Sequence, residues 1–310
     1  MTLIRSARPH ELPALVEYPD DPERNAATRG YLDGLLETKC TRPEWCLVAE
    51  DGEGRLVGSV VLWTLPGHEV PYAFVLFEAP AGETGVGPAL LDAAARTARE
   101  LGAQELEHVL DSPAQAPQFQ REPERRGELL RGSGFRVLRD GRRFGLRVPA
   151  ELPADDPRLT FRSLTDLGPA PFVDLLEALL AKTSDARLAA EVRTRGARRA
   201  AEQLFEQTAE LEHEPGWWEI GHDADGTPAV ISLPARNPSV HVIGFVGVAP
   251  AHRGKGYATS AVIRGTRVLA AHGATEIRGD CDAANTAMAK AFTRAGYENF
   301  ADRLEFGMAL

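Results

Sequence analysis

The same order of chain features occurs twice, and this constrains the fold more than any single residue does. Trp45-Cys-Leu-Val-Ala-Glu-Asp-Gly-Glu-Gly54 and Trp217-Trp-Glu-Ile-Gly-His-Asp-Ala-Asp-Gly226 both read as a strand, a tight Asp/Gly turn and the start of a second strand, a β-hairpin. The leading tryptophans and the closing glycines of these segments are each 172 residues apart. A short strand and a helical region precede each hairpin, at residues 3–5 and 160–162. A third strand follows (72–78 and 240–248), then a glycine-rich loop and a helix (88–101 and 257–272). A further strand, a short helix and a Gly-aromatic pair, Gly134-Phe135 and Gly296-Tyr297, close each half. Such a spacing is too long for a solenoid repeat and fits a duplicated domain. Strands mixed with helices in this order predict an α/β fold (an α+β mixed sheet) in each half, mostly antiparallel, with helices on both faces.

Between the halves, Pro149-Ala-Glu-Leu-Pro153-Ala-Asp-Asp-Pro157 places three prolines in nine residues, which cannot continue a helix or a central strand. The expected division is residues 1–149, a linker at 150–158, and residues 159–310. Two domains of about 150 residues each bury enough apolar surface for independent cores. Residues 1–150 hold 18 Lys and Arg against 23 Asp and Glu, and residues 151–310 hold 17 against 22, so each half carries −5 of the net −10. Neither half is basic, which argues against a nucleic-acid partner. Cys40, Cys46 and Cys281 form no CxxC pair, so neither a disulfide framework nor a metal site is expected, and a cytoplasmic setting fits. The opening MTLIRSARPHELP has no apolar run of the signal-peptide kind, and no stretch approaches the length of a membrane span.

The segment that carries chemistry is Val246-Gly-Val248-Ala-Pro-Ala-His-Arg253-Gly-Lys-Gly256-Tyr-Ala258. An apolar strand turns at Pro250 and opens a helix, whose first turn offers free N–H groups and the positive end of its dipole. Gly254 and Gly256 remove side chains that would hold a phosphate away from those donors, and Arg253 adds a planar cation suited to phosphate oxygens. The pattern specifies a pyrophosphate cradle at a strand-to-helix junction. It is neither a Walker A loop nor GxGxxG.

Here the chain resembles the GNAT superfamily of acyl-CoA N-acyltransferases, whose signature, Arg/Gln-x-x-Gly-x-Gly/Ala, reads Arg253-Gly-Lys-Gly256-Tyr-Ala258. A second block of the family, an Asn before a short helix ending in Gly-aromatic, is similar to Asn285 through Phe292 to Gly296-Tyr297. The resemblance covers about residues 160–306 and implies acetyl-CoA as cosubstrate, with no metal. It implies that two strands splay so that the pantetheine arm enters beside Val246 and Val248. Arg253, Gly254, Lys255, Gly256, Tyr257 and Ala258 would hold the pyrophosphate, and Asn285 and Phe292 would flank the arm. The implied reaction is direct attack of a primary amine, small-molecule or peptide, on the thioester. A homodimer and a monomer are both open, as is a non-catalytic acyl-CoA-binding or sensor role.

Two family groups are missing. Phe292 stands where many members carry a tyrosine that protonates the leaving thiolate, and Gly244 stands where a carboxylate base is common. Tyr257 and Tyr297 are replacement acids. Asp280 and Asp282 alternate with Cys281 on one strand face, next to the expected thioester, and are the replacement bases. Asp282 also reads as a helix cap. Glu219 and His241 are weaker candidates, and His252 reads as a solvated loop residue. In the first half Thr84 replaces the arginine and Pro123 the asparagine, so that half is expected to be a degenerate copy.

Overall fold

The computed structural model describes residues 2–15, 17–18, 20–79, 85–237 and 239–310. The chain divides into two compact units, residues 1–138 with 303–310, and residues 139–302. Unit 1 runs β1 (Leu3–Ser6), α1 (Pro22–Glu37), β2 (Cys46–Glu50), β3 (Leu56–Trp63), β4 (Ala73–Glu78), α2 (Val86–Glu100), β5 (Glu105–Ser112), α3 (Pro123–Gly132) and the start of β6 (Arg136–Arg147). Unit 2 takes the rest of β6, then β7 (Thr160–Ser163), α4 (Leu164–Leu167), α5 (Pro169–Leu180), α6 (Ala186–Arg195), α7 (Ala197–Ala209), β8 (Glu219–His222) and β9 (Pro228–Arg236). It continues through β10 (His241–Val248), α8 (Tyr257–Ala271), β11 (Glu276–Asp282) and α9 (Thr286–Arg294). The last strand, β12 (Glu298–Ala309), starts in unit 2 and ends in unit 1.

Within unit 1 the strand order is β1-β2-β3-β4-β5-β12, and within unit 2 it is β6-β11-β10-β9-β8-β7. Both sheets are mixed: β4–β5 and β10–β11 are parallel, and the other registered pairs are antiparallel. In unit 2, α8 packs on β9 and β10 while α5 packs on the same two strands. Strand β9 is therefore buried along nearly its whole length, and its apolar run lacks the alternation of a one-sided strand. Helix α8 buries Ala261, Val262, Gly265, Thr266 and Leu269, one stripe at three- and four-residue spacing.

Residues 150–158 lie within unit 2 and are tied to α8. Arg264 donates to Asp155 at 2.8 Å, Ser260 donates to Asp156 at 2.7 Å, and Arg267 donates to the Pro153 carbonyl at 3.1 Å. Prolines end regular structure here, but the acidic side chains between them find the basic face of a helix.

Candidate active site

Strands β10 and β11 set the geometry. They pair only at His241↔Ile277 and Val242↔Arg278, although β10 continues to Val248 and β11 to Asp282. Beyond Val242 they diverge, leaving a notch in the sheet. On its other side β10 stays registered with β9, with a bulge at Gly244. An extra residue bends its strand and leaves the ladder locally unpaired. Although β10 is strongly apolar, Phe245, Val246, Gly247 and Val248 are half-buried and Gly244 is exposed.

The notch leads straight into the glycine-rich turn before α8. Pro250–His252 form a single 3-10 turn, and Gly256 then serves as N-cap of α8 at φ +84°. Gly254 has φ +81°, and nothing lies within 4 Å of where a Cβ would stand on either glycine. Their backbone conformation favours glycine, and the space above them is open. Gly256 has no side chain to cap α8, whereas Asp21, Asp185 and Asn285 cap α1, α6 and α9. The first N–H groups of α8 therefore face that space with the helix dipole behind them. Exposed Arg253 and Lys255 stand beside it, and Arg253 donates to the Lys182 carbonyl at 3.1 Å. Arg158, which sequence reasoning placed in a linker, lies 4.7 Å from the Tyr257 ring centre and donates to the Lys255 carbonyl at 3.2 Å. Tyr257 is buried and Ala258 half-buried.

The expected catalytic side chains are not grouped as predicted. Tyr297 is 2% exposed, and its hydroxyl lies 2.7 Å from Thr266 Oγ1. Burial raises its pKa far above that of a free phenol, so it is a core residue rather than an acid at the mouth. Phe292 is likewise buried, stacked on Phe144 at 5.0 Å and set against Gly279, where a Cβ would meet its ring at 2.7 Å. Burying such a ring contributes about 2–3 kcal/mol, and it has no surface left for a cosubstrate. Asp282 is buried, and both of its oxygens accept backbone N–H groups, from Ala186 at 3.0 Å and Ala284 at 2.8 Å. Asn285 caps α9 by accepting from Met288 N at 3.1 Å.

Asp280 differs. Its side chain is 55% exposed and pairs at 2.6 Å with Arg139, which also holds Asp185. Asp282 reaches the start of α6 directly, through the Ala186 N–H, and Asp280 only by way of Arg139. Glu219 is closed off by two bonds from Arg264, at 2.6 and 2.7 Å. Burial, then nearby Arg236, lowers the pKa of His241. At Gly244 a Cβ would lie 2.8 Å from the Leu233 carbonyl oxygen, so the bulge itself excludes the carboxylate that the resemblance led one to look for there. His252 is 5% exposed and bonded to Asp223, against the expectation of a solvated loop residue. A histidine beside Arg253 gave no sequence signal of that partner, 29 residues away.

Unit 1 holds a similar notch with a different lining. Strands β4 and β5 pair only at Ala73↔Glu107. His108 Nδ1 lies 2.9 Å from the Phe74 carbonyl, Leu76 N–H donates to Gln118 Oε1 at 3.0 Å, and Arg126 donates to the Phe77 carbonyl. Each of these three side chains is buried. Thr84 lies outside the described residues, and Pro123 opens α3.

Residues 158–298 match the acetyltransferase (GNAT) domain family. No curated protein matches the chain. Among solved structures it is similar to a GCN5-related N-acetyltransferase from Sphaerobacter thermophilus, at 17% identity and TM-score 0.64, over 99% of this chain and 95% of that one. It is also similar to a tandem GNAT protein from the clavulanic acid biosynthesis pathway, at 17% identity and TM-score 0.50, over 100% and 98%. A third likeness is to the GCN5-related glucosamine N-acetyltransferase region of a fungal multi-domain β-N-acetylglucosaminidase, at 14% identity and TM-score 0.58, over 99% of this chain and 38% of that one. At these identities the likeness is one of fold. Among the described residues no group of three or more His, Cys, Asp or Glu could hold a metal, and no helix is long and apolar enough to cross a membrane.

Proposed function

We propose that the chain, whose residues 158–298 match the acetyltransferase (GNAT) domain family, transfers the acetyl group of acetyl-CoA to a primary amine at the notch of unit 2. The observation that carries this reading is the continuity of two open features: an apolar strand whose edge toward β11 is unpaired past Val242, and a glycine-lined helix start with open space above it. The first suits a long, thin, amide-bearing arm and the second a pyrophosphate. Arg253, Gly254, Lys255, Gly256 and the first N–H groups of α8 would hold the phosphates, and Val246 and Val248 the arm.

In the proposed step a neutral amine nitrogen attacks the thioester carbonyl carbon, the C–S bond breaks, and the thiolate leaves with the electron pair. A protonated amine first gives up one proton to water to become this nucleophile, and after attack the nitrogen gives up a second proton to water. A thiolate leaves readily near neutral pH, so a dedicated acid is not required. Asp280, exposed beside the notch, is the proposed residue for drawing in a protonated amine. Its pairing with Arg139 and the steric closure of Gly244 favour one alternative, a protein that binds acyl-CoA without turning it over.

Thermal unfolding with acetyl-CoA, followed by thiol release with a panel of amines, tests both. Acetyl-CoA at a hundredfold excess over its Kd should stabilise unit 2 by about 2.7 kcal/mol. Gly256→Trp should remove the shift by filling the open space. An undiminished shift in that variant would place the cosubstrate elsewhere, and a shift with no thiol release for any amine would favour the binding-only reading.

A further inference from the structure

We propose that His252, anchored by Asp223, is a positioning residue that holds the phosphate-cradling loop of unit 2 in its binding conformation. This rests on the reading of that loop as the acyl-CoA site. His252 closes the turn Pro250–His252, immediately before Arg253-Gly-Lys-Gly256, and its own N–H donates to the Ala249 carbonyl at 2.8 Å. Its ring is buried although its neighbours on both sides are exposed. Nε2 lies 2.7 Å from Asp223 Oδ2, while Nδ1 is buried with no hydrogen-bond partner among the described residues. One bond therefore fixes the orientation of a ring that is otherwise held by packing, with the Tyr257 ring 6.2 Å away.

The anchor is itself rigid. Asp223 opens the turn between β8 and β9, and its Oδ1 accepts from Asp225 N at 3.0 Å and Thr227 N at 2.9 Å. Its backbone N–H donates to the Thr227 carbonyl, and Gly226 N–H donates back to its own carbonyl, both at 3.0 Å. One carboxylate oxygen thus builds the hairpin turn and the other reaches the cradle. The bond to His252, first, and these backbone donors keep the Asp223 carboxyl below the usual range, as expected for a carboxylate that is held ionised. Other side-chain ties on residues 253–256, from Arg253 to the Lys182 and Val248 carbonyls and from Arg158 to the Lys255 carbonyl, are solvent-exposed and so compete with water. The bond of His252, which immediately precedes them, is the more sheltered tie, with the ring buried and the Asp223 carboxylate half-buried.

A loop that leaves its binding conformation weakens apparent affinity in proportion to the competent fraction that remains. If losing the anchor leaves about a tenth of molecules competent, the Kd for acetyl-CoA rises about tenfold. Calorimetric titration with acetyl-CoA at 25 °C, with a melting curve for each protein without ligand, tests the proposal. His252→Ala and His252→Asn, whose amide is too short to reach Asp223, should both bind about tenfold more weakly. His252→Gln, whose side-chain N–H can occupy the position of Nε2, should recover most of the affinity.

If His252 were only a packing residue, melting temperatures would fall while Kd stayed at the wild-type value in every variant that folds. That result overturns the proposal, as does a Gln variant no better than Asn. Should the Ala variant not fold, the Asn and Gln pair carries the comparison alone. A wild-type protein that fails to bind acetyl-CoA would sink the reading of the site itself, whereas wild-type binding that His252→Asn retains would sink only the positioning role.

Discussion

Replacing Gln118 by alanine in unit 1 should destabilise that unit by about 2 kcal/mol without creating a second acyl-CoA site. Leu76 sits at φ +50°, uncommon for a non-glycine residue, and points its buried N–H at Gln118 Oε1, 3.0 Å away. Removing the acceptor strands a buried donor, which costs about 1–3 kcal/mol. Gln120 also donates to Gln118, at 2.8 Å, but keeps the Val109 carbonyl at 3.2 Å, so the second loss is partial. For a unit of this size about 2 kcal/mol corresponds to a fall of ~4–8 °C in melting temperature. Calorimetry should show the fall, and hydrogen exchange should locate it, with the Leu76 amide slow in the wild type and fast in the variant. A change below about 0.5 kcal/mol, within the range of ordinary surface substitutions, would refute the assignment of Gln118 as the partner of β4. Titration of the wild type should find one strong acetyl-CoA site per chain. Binding that survives Gly256→Trp would show that unit 1 is open after all.

Two further outcomes follow from charge. Burial, opposed by its hydrogen bonds, pushes the His108 imidazole down to about 4, so the folded chain binds no proton there while the unfolded chain does so below about 6.5. The folded-state pKa is the depressed one, so stability is full above pH 6.5 and falls as pH drops toward 4. The loss approaches 3 kcal/mol, and a melting temperature of unit 1 that stays flat over this window would contradict it. Asp280→Asn should raise KM for a cationic acceptor about fivefold, the size of an exposed charge contact worth roughly 1 kcal/mol. Acetyl-CoA affinity should stay at the wild-type value in that variant, and an unchanged acceptor KM would remove Asp280 from the acceptor site.

The strand-turn-helix element and its glycine turn were legible because their signals are local: an apolar strand, a proline turn, two glycines and a cation lie within one short run. The mixed fold was legible for the same reason, since hairpin and helix signals are periodic or sit at turns. Exposure was not legible. Phe292 and Tyr297 occupy family positions near the site, but whether a ring faces the notch or the core depends on Phe144, Thr266 and Gly279, which arrive from other elements. Asp282 was placed on the correct face by alternation, yet its role was decided by Ala186, 96 residues away, whose N–H it accepts. The Asp223–His252 pair was invisible because neither residue belongs to a motif, and only the crossing of two turns brings them together.

The two notches follow one backbone plan with different linings. Splaying two parallel strands strips one edge of each of its ladder partners, and buried backbone N–H and C=O groups must find others. In β10 the side chains around the edge are small or apolar, with glycine at 244 and 247, and the strand stays half-buried, so the edge is accessible to a ligand with amide groups. In β4 the run Ala73–Glu78 has no glycine and is buried except at Glu78, which makes the same unpaired groups costly. His108, Gln118 and Arg126 meet that cost from within the unit. On the proposed reading, the difference between the two units rests on which groups complete the edge, more than on the glycine loop beyond it. Restoring an arginine at position 84 alone would leave those three side chains in place and should not confer acyl-CoA binding on unit 1.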